Sequence, residues 1–440
     1  MDNRYKAISL FSSSGIGDIA LKRCNIETIV ANELLEDRCK LFRRNFPETH
    51  LIEGDINEKK SEIIQQTLLK LNGHKLDYAL VTPPCQGMSK NGRGKLLAEI
   101  NAGRRPKIDP RNLLIIPALE IIKELKPTTV IFENVSEMIN TSIPFDGKIL
   151  PIIEIIKNTL TEYEVEPKVI EFADYGIPQR RLRLITIATR SDLIKKHKMN
   201  YGSFFPPKTH SKNSNEGLMK WVTVRDVIGS LEKLDGKTKT NSFNDPLHKV
   251  PKLDEMKFWW VSNTPLNKSA FDNQCVSCGF NKNKLHSSNK NSFGVNKSSR
   301  DTPVYCKNCN ALLPRPSIKK NGKIQIMTGF TSAYKRMDWD LPASAITRNF
   351  PYVCSDNKIH PEQNRSLSIR EACLLHTISN EDFYFETCKG VDAKLTTIRD
   401  TLGESVPPLI IEILLKNLQS IASKNFDLNE TLIQKQLIFT

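Results

Sequence analysis

The run Val81-Thr82-Pro83-Pro84-Cys85-Gln86-Gly87-Met88-Ser89 ends an apolar, strand-like segment on two prolines and presents one cysteine ahead of a glycine-containing loop. A thiol held at a strand end is placed to attack an electrophilic carbon. Two further polar sets sit at the ends of apolar runs downstream. One is Glu133 in Val130-Ile131-Phe132-Glu133-Asn134-Val135; the other is Gln179-Arg180-Arg181-Leu182-Arg183, which leads into Leu184-Ile185-Thr186-Ile187-Ala188. A thiol, a carboxylate and paired arginines suit chemistry on a polarisable ring, where one group adds, one handles a proton and the cations stabilise developing negative charge. Singly, each has a plainer reading as a small buried hydrophobe, a helix cap or a surface ion pair. Together and in this order they favour catalysis.

A second set lies near the start. Phe11-Ser12-Ser13-Ser14-Gly15-Ile16-Gly17 follows the first strand-like run and opens a helix, where small residues and free backbone N–H groups admit a ligand closely. Glu33 ends the next strand about twenty residues on, the offset of a carboxylate that grips ribose hydroxyls. Asp55, in Glu53-Gly54-Asp55-Ile56, closes the third strand and could accept from an adenine amino group, with Ile56 against the ring.

These residues need a scaffold that gathers strand ends. Ala7 to Phe11, Glu27 to Asn32, Tyr78 to Thr82, Val130 to Glu133 and Arg183 to Ala188 read as strands, and Leu35 to Phe46, Glu58 to Leu71 and Leu113 to Leu125 as amphipathic helices. That alternation predicts an open, mostly parallel α/β sheet. Around Trp221 to Gly229 the character changes, and the chain is rich in Lys, Asn and Ser to about Gly322. Helical patterning returns at Leu367 to Leu375 and Pro407 to Leu415.

The 440 residues can bury a substantial core and, by length alone, form two or three domains. No apolar run approaches the roughly 20 residues that span a bilayer, and the first residues lack a secretory signal, so a reducing cytoplasm is the expected compartment and no membrane partner is implied. Lysine and arginine exceed acids by 15, which favours a polyanionic partner. Between Leu231 and Gln325 there are 17 Lys/Arg against 7 Asp/Glu, so most of the excess lies in that segment. Ser89 to Arg111 adds seven basic residues against two acids, with Gly92, Gly94 and Gly103, the composition of a mobile lid over phosphates.

Ten cysteines are too few for a disulfide scaffold, and four fall in two Cys-x-x-Cys pairs, Cys275 with Cys278 and Cys306 with Cys309. Such gaps let each pair share one tetrahedral ion, and structural zinc is the expectation, supplying folding energy to a segment too polar to make a core.

Taken together, Leu10 to Asp18, the Pro-Pro-Cys run, Phe132-Glu133-Asn134-Val135 and the Gln179 to Arg183 motif resemble, in family order, the cytosine carbon-5 DNA methyltransferases of restriction-modification systems. The resemblance implies a Rossmann-like S-adenosylmethionine-dependent domain with a smaller, loop-rich, zinc-bearing target-recognition domain. It places 1–229 in the catalytic domain, 230–335 in the target-recognition domain and 336–440 in a part that completes the catalytic fold. It assigns Cys85 as the thiolate that adds to carbon 6 of a flipped cytosine, Glu133 as the acid at ring nitrogen 3, and Arg183 with Arg181 to the oxygen at position 2. It assigns S-adenosylmethionine to Phe11, Ser13, Gly15, Glu33, Asp55, Ile56, Pro84 and, in Leu402-Gly403-Glu404-Ser405, Glu404. Ser13 stands where the family usually has Gly, and Glu404 where it usually has Asn; the acid could complement the sulfonium or face solvent. Within the basic insert Trp259, Trp260, Lys282, Lys284, Arg300 and Arg315 are candidate DNA contacts.

The implied activity is methylation of carbon 5 in duplex DNA by a monomer, protecting sites from a cognate restriction endonuclease. An RNA cytosine methyltransferase and a catalytically silent, zinc-containing DNA-binding protein are the alternatives.

Overall fold

The computed structural model describes residues 4–84, 109–192, 202–214, 217–290, 296–328 and 332–423. Seven strands form the main sheet: β1 (Tyr5–Leu10), β2 (Ile26–Glu33), β3 (His50–Glu53), β4 (Tyr78–Val81), β5 (Thr129–Val135), β6 (Tyr163–Glu171) and β7 (Leu182–Arg190). Their order is β3-β2-β1-β4-β5-β7-β6. Every pairing from β3 to β5 is parallel, and β7 runs antiparallel to both β5 and β6. The fold is mixed α/β with a parallel-dominated sheet.

Strand periodicity explains the layers, because successive side chains point to opposite faces. Ile8, Val130 and Leu184 join one apolar cluster, whereas their neighbours Ala7, Ile131 and Ile185 join another. On the first face lie α3 (Ile56–Leu71), α4 (Ile115–Leu125) and α5 (Ile152–Thr159), following α1 (Ile16–Arg23) and α2 (Glu36–Asn45) in the chain. On the second face α1 packs with the last described helix, Pro408–Ser423, whose Ile410, Ile411, Leu414 and Leu418 are buried. This last described helix therefore completes the second-face layer that α1 begins, joining residues about 390 positions apart in the chain.

Beneath the first turn, Asp18 is fully buried and accepts from Ser9 Oγ at 3.1 Å and Thr28 Oγ1 at 2.9 Å. Burial pushes its carboxyl up from 3.8 to about 7, against the two hydroxyls. The folded chain thus keeps the proton that the unfolded chain releases from about pH 4 upward, so this group's contribution to stability declines from about pH 4 to about pH 7 and is absent above. Asp18→Asn is expected to flatten the fall of unfolding free energy across that window, read by urea titration at several pH values. An unchanged slope would show that Asp18 ionises normally in the fold.

Packing crosses both sequence-predicted boundaries. Leu231 and Leu247 pack against the cluster that contains Ile16, Ile19 and Leu41 of α1 and α2. Leu253, Trp260 and Phe271 form a separate core that draws in Val353 and Ile359 from beyond residue 335. No helix among the described residues is long and apolar enough to cross a membrane.

Candidate active site

The sheet turns its order around between β1 and β4, and in such sheets ligands sit outside the carboxyl ends of the strands at that switch point. The chain ends β1 with the Phe11 to Gly15 turn and β4 with Thr82-Pro83-Pro84. Phe11, Ser13 and Gly15 all adopt left-handed backbone, with φ of 59°, 51° and 89°. At Gly15 a Cβ would meet Phe46 Cε2 at 2.4 Å, so only glycine closes this turn. The φ at Ser13 explains why a glycine suits that position too.

Glu33 buttresses this loop. Its Oε2 accepts from Ser13 N at 2.8 Å and its Oε1 from Leu35 N at 2.9 Å, each oxygen keeping a lone pair for a further donor. Asp55 caps α3 by accepting from Asn57 N at 2.8 Å. Ile56 is buried in the sheet core. Leu34, which the sequence did not single out, is 58% exposed beside Glu33 and offers an apolar surface at this edge.

On the other side of the crevice, Glu133 lies near the end of β5 and Arg183 near the start of antiparallel β7, whose Arg183 pairs with Val135 and Ile185 with Glu133. Arg183 Nε stands 3.1 Å from Glu133 Oε1. Burial raises the Glu133 carboxyl above its ordinary value although both Arg183 and Arg181 pull it down. A carboxyl so placed can hold a proton and give it up to a neighbouring acceptor.

Asn134, the next residue, carries the link to the thiol loop. Its Nδ2 donates to Pro83 O at 3.0 Å while its Oδ1 accepts from Val135 N at 2.8 Å. Thr82 Oγ1 in turn donates to Phe11 O at 3.1 Å. Pro84 is thereby held between the glutamate strand and the cofactor-side loop. Cys85 and the glycine-rich basic stretch to residue 108 lie outside the described residues.

Arg181 departs from its expected place at the ring oxygen. It is 2% exposed, and its Nη1 and Nη2 donate to Ile346 O and Ser405 O, both at 2.9 Å. Gln179 Nε2 lies 3.0 Å from His376 Nδ1, and His376 Nε2 3.0 Å from Ser405 Oγ. Burial and the nearby arginines keep the His376 ring neutral. This buried knot joins α8 (Ile369–Leu375, after α6, Val224–Ile228, and α7, Glu255–Ser262) to the end of α9 (Leu395–Glu404). Glu404 is exposed at this edge, and its Oε2 pairs with Arg38 Nη2 at 2.6 Å. Ser14 Oγ meets Thr401 Oγ1 at 2.8 Å, so α9 also clasps the cofactor-side loop.

A family model described as C-5 cytosine-specific DNA methylase matches residues 5–420. The chain belongs to this family. Among curated relatives, the Type II methyltransferase M1.HgaI of Avibacterium volantium is 28% identical over 423 residues, covering 94% of this chain and 97% of the relative. The Type II methyltransferase M.AquIA of Picosynechococcus is 32% identical over 241 residues, 51% of this chain and 88% of the relative. In fold, the chain is similar to a prophage-encoded DNA modification methyltransferase of E. coli, with a TM-score of 0.55 at 21% identity, covering 95% of this chain and 99% of that one. The protein is therefore a DNA cytosine-5 methyltransferase.

The methyltransferase carries its four knuckle cysteines in one cluster, all Sγ atoms lying within 4.8 Å of one another. Cys275 Sγ is 3.6 Å from both Cys278 and Cys309, and Cys278 Sγ is 3.8 Å from Cys306. Asn308 Nδ2 donates to Cys278 Sγ at 3.5 Å, and Asn283 Nδ2 to Cys306 Sγ at 3.8 Å. Two residues expected at DNA are instead internal to the methyltransferase. Trp260 is buried edge-on against Tyr334, and Arg315, 0% exposed, donates to the carbonyls of Asn273, Lys284 and Pro303. Lys282, Lys284 and Arg300 are exposed and Trp259 is partly so.

Proposed function

We propose that this methyltransferase moves a methyl group from S-adenosylmethionine to carbon 5 of a cytosine rotated out of a specific duplex site, in the cytoplasm and as a monomer, protecting that site from a cognate endonuclease. The observation that carries this reading is the pairing of buried Glu133 with half-buried Arg183 at 3.1 Å, tied through Asn134 to the Pro83-Pro84 entry of the thiol loop. Cys85 supplies the thiolate that adds to carbon 6, making carbon 5 nucleophilic. Glu133 gives its proton to ring nitrogen 3, and Arg183 faces the oxygen at position 2 as charge builds there. Arg181 acts through the main chain, holding the strand that presents Arg183. A base inside the stack hides carbon 6, which is why flipping is required.

The residues present fit the cofactor. Ser13 Oγ is buried without a hydrogen-bond partner among the described residues, a polar atom that a bound ligand can satisfy. Glu33 offers free lone pairs beside it, and Phe11 and Leu34 offer apolar surface. S-adenosylmethionine, when bound, supplies a methyl group on a positively charged sulfur. Glu404 would act by neutralising Arg38 at this edge, and Asp55, Ile56 and Pro84 by shaping it.

The cysteine cluster fits zinc. A tetrahedron with Zn–S bonds of about 2.3 Å sets its sulfurs about 3.8 Å apart, close to the spacings found. We expect one zinc per chain by mass spectrometry of metals, and Cys278→Ser to lose that zinc and weaken DNA binding while S-adenosylmethionine binding persists. A metal-free sample that binds DNA as well as the metal-loaded one would contradict this.

Incubating the purified protein with radiolabelled S-adenosylmethionine, duplex DNA and transfer RNA tests the reaction. Label should appear as 5-methylcytosine in the duplex. Label in RNA alone would support the RNA enzyme, and no label a silent binder.

A further inference from the structure

Outside the crevice, the two strands Ser317–Lys320 and Lys323–Ile326 form an antiparallel ribbon pairing Ser317 with Ile326, Ile318 with Gln325, Lys319 with Ile324 and Lys320 with Lys323. Asn321 and Gly322 close it with φ of 50° and 77°, the two left-handed residues that a type I′ hairpin turn demands. We propose that this ribbon enters the major groove of the DNA and reads bases flanking the target cytosine. The proposal rests on the duplex-DNA reading given above.

Directly opposed residues share a face, and the faces alternate along the ribbon. One face is seated, since its Ile326 is buried in the core built by Trp260, Phe271 and Tyr334. The other carries Ile318, 45% exposed, with Gln325, Lys320 and Lys323, all open to solvent. That face combines the donors and surfaces that base edges take: a side-chain amide that can pair with adenine, an aliphatic group for a thymine methyl, and ammonium groups for phosphates or guanine.

Lys320 and Lys323 lie directly opposite each other, an arrangement that destabilises an isolated ribbon. Among the described residues no ion pair involves Lys319, Lys320 or Lys323, and no acid occurs from Ser317 to Gln325. No acid within the ribbon offsets this repulsion. Uncompensated repulsion is relieved by a polyanion, and a groove about 12 Å wide accepts a two-stranded ribbon.

The base of the ribbon is fixed. Met327 N donates to Pro316 O at 2.9 Å, and Arg315, immediately before, clamps carbonyls on both sides of the cysteine knuckles. The ribbon therefore projects from a rigid mount, as base reading requires.

The test compares wild type, K320Q/K323Q, K320R/K323R and Q325A as full-length, metal-loaded protein. Binding of a fluorescent duplex of mixed sequence is titrated over salt concentration. Two lost phosphate contacts should reduce the slope of log K against log salt by about 1.8 in K320Q/K323Q, and K320R/K323R should keep the parental slope. Sequencing of methylated cytosines in a host expressing Q325A should show one relaxed position beside the methylated base. A parental slope in K320Q/K323Q, or an unaltered methylation pattern in Q325A, overturns the proposal. If wild type methylates the duplex while these outcomes occur, the ribbon alone is wrong. If wild type neither binds nor methylates duplex DNA, the reading beneath it falls and takes the ribbon with it.

Discussion

Glu133→Gln is expected to lower kcat on duplex DNA by about 10²- to 10⁴-fold with little change in S-adenosylmethionine affinity. Glutamine matches the shape and still accepts from Arg183 Nε through its amide oxygen, but it has no acidic proton to give. The parent's carboxyl is raised by burial in spite of Arg183 and Arg181, which extends toward neutral pH the range over which it stays protonated. Activity of the parent should therefore decline on the alkaline side as Glu133 ionises, and the Glu133→Gln variant should lose that limb of its profile. Steady-state kinetics across pH decide the matter. A variant that only raises KM, or keeps the alkaline limb, would show that Glu133 holds the base without supplying a proton.

Arg365→Met is expected to cost about 3–5 kcal/mol of stability, the largest effect foreseen away from the crevice. Arg365 and Glu371 are both 0% exposed and joined by two bonds of 2.7 Å. Burial alone would raise Glu371, yet the Arg365 guanidinium pulls it down to about 2. Removing the arginine strands a carboxylate that also accepts from Ser368 N at 2.8 Å to cap α8. His360, 3.9 Å away, cannot take over the charge, because burial lowers its pKa to about 3. Stability contributed by the pair is present above pH 4.5 and lost as pH falls toward 2. Urea unfolding of Arg365→Met, with the double variant R365M/E371L recovering most of the loss, checks the argument. A loss of under about 1 kcal/mol in the single variant would mean that water reaches the pair.

Sequence pattern revealed what is local. Apolar runs located β1, β2, β4, β5 and β7, helical periodicity located α2, α3 and α4, and the Cys-x-x-Cys gaps located the cluster. It overlooked β6, whose residues are mostly half-buried at the sheet edge and so lack a clean alternation. Periodicity also carries no direction, and β7 came out antiparallel.

Within the candidate site, the strand-end positions of Glu133 and Arg183 were legible because the first closes an apolar run and the second opens one. Arg181 was not, since what distinguishes it from Arg183 is the carbonyl of Ser405, 224 residues away. Glu404 meets Arg38 across 366 residues, a partner no motif announces. Asn134 stands out in the sequence only as a member of the Phe132-Glu133-Asn134-Val135 motif, although a buried amide next to a strand-end acid is the group able to tie that strand to another loop. Arg315 and Trp260 are internal although their segment is basic and aromatic like a binding surface, because a polar module must still build a core from the large side chains it has.

The proposed reaction requires the sulfur of Cys85 to bond transiently to carbon 6 of an extruded cytosine. Its most direct test incubates the protein and S-adenosylmethionine with a duplex in which 5-fluorocytosine replaces the target base, so that the covalent complex cannot resolve. The account predicts an adduct that survives denaturing electrophoresis, maps by peptide mass spectrometry to Cys85, and is absent from a folded Cys85→Ser variant. A Cys85→Ser protein that forms the same adduct, or methylates ordinary duplex at the parental rate, would contradict it.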